Sequence, residues 1–163
     1  MGVIGDIIRA WRHPRRVMRH QLGQGKREDR ALVFLVVACL LIFVAQWPRL
    51  SLAATADPSM PFDVRIGGAL LGWIFLAPLG LYAIAALSRI IARLIGGQGD
   101  WYSARLALFW SLLVAAPFWL LNGLVAGLAG VGPLKAVTGL VALSGFVAVW
   151  MLSLYEAEKG GRA

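Results

Sequence analysis

Acidic side chains are scarce in this chain. It carries eight Asp and Glu against sixteen Lys and Arg in 163 residues, and only 15% of its residues are charged. A soluble domain carries about 25%. There is one cysteine, Cys39, so no disulfide framework forms within the chain. It sits in an apolar run and reads as a small hydrophobe. The two histidines, His13 and His20, lie in a basic stretch without cysteines or clustered acids, so metal and haem sites lack ligands and no cofactor is expected. The apolar runs hold no Asp, Glu, Lys or His at depth, the residues from which ion and proton pathways are built. That argues against a proton-coupled transporter but leaves room for a lipid translocator with a polar groove. Ser88, Ser111, Ser144 and Ser153 have no His or Lys partner at depth, so no nucleophile is activated and no enzyme is expected.

What the chain has in abundance is apolar length. It is 60% hydrophobic, with a mean hydropathy of +0.74, and its charged residues fall in short blocks between long apolar ones. Runs of about 18 or more apolar residues read as membrane spans. The expected fold is all-α and polytopic, with four transmembrane helices over about 31–47, 66–95, 101–130 and 133–155. A basic segment, 1–30, precedes this 31–155 membrane domain, and a short polar tail, 156–163, follows it. Residues 48–65, rich in proline, read as a loop.

In the basic segment, Val3, Ile4, Ile7, Ile8 and Trp11 recur at helical spacing with Asp6, Arg9 and Arg12 opposite. That pattern predicts an amphipathic helix in the headgroup plane, interrupted at Pro14. Arg15, Arg16 and Arg19 continue the basic character. Nucleic acid is not expected as a partner, because Trp11 is the only aromatic platform among these charges. Anionic headgroups are the expected counterpart. Trp47, Arg89, Arg93, Trp101 and Arg105 complete the set of expected interface residues. With four spans the termini share a side. Thirteen Lys and Arg then fall on that side and three, Arg49, Arg65 and Lys135, on the other. The bias places both termini in the cytoplasm, and we expect a bacterial inner membrane.

Within the spans, Pro78 and Pro117 are expected to kink their helices. Asn122 is the polar residue best placed to reach another helix or to cap the Pro117 kink. Gly68 and Gly72, and Gly123 and Gly127, form two GxxxG pairs suited to close packing. The turn GGQGD at 96–100 has neither the preceding strand nor the lysine of a phosphate-binding loop. Gly96 and Gly97 suit a helix stop, and Asp100 suits the cap of the next helix.

The stretch GGQGDWYSARLALFWSLLVAAPFWLLNG resembles the core signature of the Yip domain family, the Rab/Ypt-interacting proteins and their bacterial relatives. The resemblance rests on the glycine turn, the aromatic after it, and Ala104, Arg105, Ala107, Leu108, Trp110, Ser111 and Pro117. IRAWRHPRRVMRH is similar to the short entry segment of bacterial members. The resemblance implies a helical membrane domain; eukaryotic relatives are linked to Rab GTPases, vesicle traffic and membrane shaping. This chain has a shorter N-terminal part and one span fewer than is typical, so GTPase binding is not carried over. The expected function is a non-enzymatic scaffold or accessory subunit of a larger membrane assembly, with other membrane subunits as partners. It would make contact through the N-terminal segment and the 96–103 turn. The alternative is a small transporter or lipid-handling protein with a groove between the proline-kinked second and third helices, reached by water at Asn122 and Ser111.

Overall fold

The computed structural model describes residues 2–130 and 132–159. Val131, in the link between the last two spans, and the tail from Gly160, including Arg162, lie outside the described residues. The described chain is helical, without strands, and four of its helical stretches are long and apolar enough to cross a membrane: Glu28–Ala56, Phe62–Leu94, Trp101–Ala129 and Pro133–Lys159. This is a multi-pass membrane protein.

Two short helices come first, α1 (Val3–Arg12) and α2 (Pro14–Gly23), broken at His13. They fold back on each other, since Gln21 donates to Asp6 across the pair at 3.5 Å. The amphipathic helix is present but is not a free surface element. Ala10 and Met18 are fully buried, and Trp11 packs at a tilt against Phe118 with ring centroids 4.3 Å apart. Val3, Ile4 and Ile8 remain exposed.

The first span differs from the expected 31–47. It begins at Glu28 as α3 (Glu28–Ala45), breaks at Gln46, and resumes as α4 (Trp47–Ala56) through the stretch expected to be loop. Pro48 causes both features. It has no N–H for the carbonyl four residues back, yet it is well tolerated in the first turn of a new helix. The true loop is only 57–61. There Asp57 accepts from the Ser59 N–H and hydroxyl and from Arg65, which lowers its pKa below the usual carboxylate range.

The second span, α5 (Phe62–Leu71) and α6 (Ala77–Leu94), is joined by a π-helical turn over Gly72–Leu76. Pro78 explains the turn. A proline ring clashes with the carbonyl of the residue four back, and widening the turn before it relieves the clash. The Ala77 N–H accordingly donates five residues back, to Gly72. The span ends as expected. Gly96 takes φ +88°, its N–H bonds the Arg93 carbonyl, and that of Gly97 bonds Ala92 at 2.8 Å.

The third span, α7 (Trp101–Ala129), opens on a capping box. The Ser103 N–H donates to the Asp100 carboxylate at 2.7 Å, and the Asp100 N–H donates to the Ser103 hydroxyl at 3.0 Å. It then runs unbroken through Pro117. From Leu106 to Ala116 every residue is buried, which makes α7 the central post. Phe34 of α3 packs on Trp110 at 5.1 Å, and Tyr82 of α6 packs edge-on to Phe109 at 5.0 Å. The fourth span, α8 (Pro133–Lys159), lies along α7 and continues one turn past the expected end at Tyr155.

The two GxxxG pairs behave differently. A Cβ on Gly123 would stand 1.9 Å from the Ala45 carbonyl oxygen, and one on Gly127 would stand 2.4 Å from the Pro48 ring. This pair therefore brings α7 against the first span. A Cβ on Gly68 or Gly72 meets nothing within 4 Å, because the second span is peripheral. Only 6% of its most apolar stretch is buried, against 44% of the first span's. We therefore expect Gly123→Val to cost about 1–3 kcal/mol through overpacking. Gly68→Ala should be neutral or gain up to ~1 kcal/mol of helix propensity. Thermal unfolding of both variants in one detergent checks this; equal effects would contradict the assigned packing.

Candidate functional site

The end of the bundle that carries the 96–100 turn is held by ions. Glu158, in the last turn of α8, accepts from Arg89 at 3.1 Å and from the Gly99 N–H at 2.9 Å, and both charged side chains are only 11% exposed. The Gln98 N–H donates to the Glu158 carbonyl. The glutamate lies so close that a Cβ on Gly97 would stand 2.3 Å from its Oε2. Glu156 takes two bonds from Arg19, at 2.8 and 2.5 Å, and Arg15 lies over the Tyr155 ring at 4.9 Å. Arg105 pairs with Glu28, and Lys26 reaches Asp100 at 2.6 Å. Burial opposes ionisation of Asp100, but hydrogen bonds from Lys26 and Ser103 outweigh it and hold the carboxyl below its usual range.

Six of the chain's eight acids are thus consumed in internal ion pairs. Several polar groups of the 96–103 turn, expected to be a contact surface, are engaged by Lys26, α6 and α8, while Gln98 and Trp101 stay exposed. The residues expected at the interface therefore separate into two groups. Arg12, Arg15, Arg16, Trp47, Arg93 and Trp101 are exposed, whereas Arg89 and Arg105 are partly buried in ion pairs, and Arg19 is exposed but pairs with Glu156. Glu156 and Glu158 were missed because they sit in a stretch that reads as a solvated tail. Their signal was placement three and one residues from Lys159, close enough to continue the last helix.

The other half of the molecule holds a groove of about 450 Å³. Trp73, Trp119, Phe146 and Trp150 form its aromatic wall, with Ile42, Leu81, Leu108 and Leu112 between them. Gln46, Arg49, Asn122 and Lys135 also line it, and no carboxylate does. Each wall has a local cause. Trp73 lies in the π turn imposed by Pro78. Asn122 is fixed by a bond across helices, its Oδ1 accepting from the Thr138 hydroxyl of α8 at 2.8 Å. Trp119 and Trp150 have buried indole N–H groups with no acceptor among the described residues. Such donors usually find a partner.

Of the two positions expected to line a groove, the structure places Asn122 in it and Ser111 outside. Ser111 is fully buried, and its hydroxyl donates to the Ala107 carbonyl at 2.6 Å. The three groove tryptophans escaped sequence reading because each lies on a different helix. Their signal was position, well inside spans where tryptophan belongs at the ends. Among the described residues, no three His, Cys, Asp or Glu side chains gather where they could hold a metal ion. No family model, curated protein or solved structure matches the chain.

Breaking a buried pair leaves an uncompensated charge, so Glu158→Leu alone should destabilise the protein by about 3 kcal/mol. Arg89→Leu with Glu158→Leu should recover most of that. Denaturant or thermal unfolding of the single and double variants reads the coupling; additive losses would show that the pair is not a unit.

Proposed function

We propose that this protein is a non-enzymatic, multi-pass membrane protein that handles a lipid in the groove between its helices. The observation that carries this reading is the groove's composition. It is a wall of four aromatic rings with a few polar groups, the usual make-up of a site that binds an amphiphile. Its length adds support. Lys135 and Trp150 both line it and are fifteen residues apart on α8, or about 22 Å at 1.5 Å per residue. One leaflet of a bilayer's hydrocarbon core is about 15 Å deep. The reading includes a bacterial inner membrane with both termini in the cytoplasm, on the thirteen-to-three distribution of Lys and Arg. It also includes membership of the Yip domain family, on the residues from Gly96 to Pro117, and anionic headgroups beside exposed Arg12, Arg15, Arg16 and Arg93.

After mild delipidation, native mass spectrometry should find about one lipid retained per chain. Leu81→Trp, which fills the groove from α6, should lose it while keeping its melting temperature. A wild-type protein without lipid, or equal retention by the variant, would count against the reading.

A second reading, the scaffold or accessory subunit, is favoured by the second span. Phe75 and Leu79 are about 70% exposed on a helix that buries little of itself. A photo-crosslinker at either position should then yield one discrete protein adduct in intact cells. Labelling of lipid alone would remove that reading.

A further inference from the structure

The groove's polar residues narrow what its occupant carries. Arg49 comes from α4, Asn122 from α7 and Lys135 from α8, with Gln46 at the break between α3 and α4. Among the described residues Arg49 and Lys135 have no ionic partner, and Arg65, the third cation at this end, is already paired with Asp57. Thr138 occupies the Asn122 carbonyl, which leaves that amide's N–H groups as donors. Three helices thus each bring a donor-bearing side chain to one groove whose lining holds no carboxylate, which suits an anion with several oxygens. A carboxylate has two oxygens in one plane; a phosphate has oxygens in a tetrahedral arrangement and accepts from donors on all sides.

The apolar part sets the other end of the molecule: Ile42, Leu81, Leu108 and Leu112 lie among the aromatic rings and suit hydrocarbon.

Building on the lipid-groove reading, we propose that the groove binds a lipid through a phosphate headgroup. Arg49 and Lys135 clamp the phosphate, and hydrocarbon runs inward past Trp119 to Trp150. The site belongs to the end of the bundle opposite the termini. Positive charge is sparse there, so two unpaired cations on one groove stand out against it.

The test uses the full chain in neutral detergent, with its own tryptophans as reporters and single-chain probes brominated in the chain, since bromine quenches indole fluorescence on contact. Brominated lysophosphatidic acid should quench at a mole fraction at least about tenfold lower than brominated monoacylglycerol or the brominated fatty acid, the gain of charge-assisted hydrogen bonds. Trp119→Phe and Trp150→Phe should each remove part of the quenched signal. Arg49→Gln and Lys135→Gln should each abolish the preference for the phosphate probe and leave monoacylglycerol quenching unchanged. Soluble glycerol phosphate should not compete. If all three probes quench at the same mole fraction, or if the two glutamine variants keep the preference, the phosphate assignment fails while the lipid groove stands. Competition by glycerol phosphate at the same concentration would make the site one for a soluble anion. If no probe quenches, and the Trp119 and Trp150 variants are silent, the groove reading itself fails.

Discussion

Helices in a bilayer gain nothing from leaving water, because lipid is as apolar as their side chains. What holds them together is close approach, and here that approach centres on α7. Gly123 sets its backbone against the carbonyl of Ala45, and Gly127 takes the ring of Pro48. The first, second and fourth spans all pack against this post. Trp110 and Phe109 reach out to Phe34 and Tyr82, while Asn122 holds α8 through Thr138. The backbone obeys the same economy of polar groups. Where Pro78 removes a donor the chain widens into a π turn, and where Pro48 removes one it begins a new helix.

Around that post the two ends of the molecule are built differently. At the end with the termini, α1 and α2 fill the space beside α7 and α8, and four of the chain's eight acids tie five segments together. At the other end Gly123 and Gly127 hold α7 against the first span, and Asn122 holds it to α8. The aromatic groove lies in the space between, with cations that no acid among the described residues neutralises. One end is tied by ion pairs; the other is where we propose a lipid to sit.

Much of this was legible in the residues, because the signals involved are local. Apolar length marks the four spans, Gly96 and Gly97 stop α6, and Asp100 with Ser103 starts α7. Pro14 separates α1 from α2 for the same local reason. What failed to show depended on which faces meet. Two identical GxxxG patterns look alike in sequence, yet only Gly123 and Gly127 face a neighbour, since the second span is peripheral. Residues 48–56 read as loop because proline usually ends a helix, but Pro48 sits at a position where it begins one. Glu158 reads as tail, and only the folded chain brings Arg89, sixty-nine positions away, beside it. Trp73, Trp119 and Trp150 carry no shared motif and become a wall only when three helices are assembled.

The central claim is that the space beside α7 is a seat for a lipid and not a gap in packing. An experimental structure of the full chain in lipid nanodiscs tests it most directly. The account expects elongated density along Trp73, Trp119 and Trp150, ending in a compact feature between Arg49 and Lys135. Spans drawn together so that their own side chains fill the groove, with Arg49 and Lys135 turned outward, would contradict it.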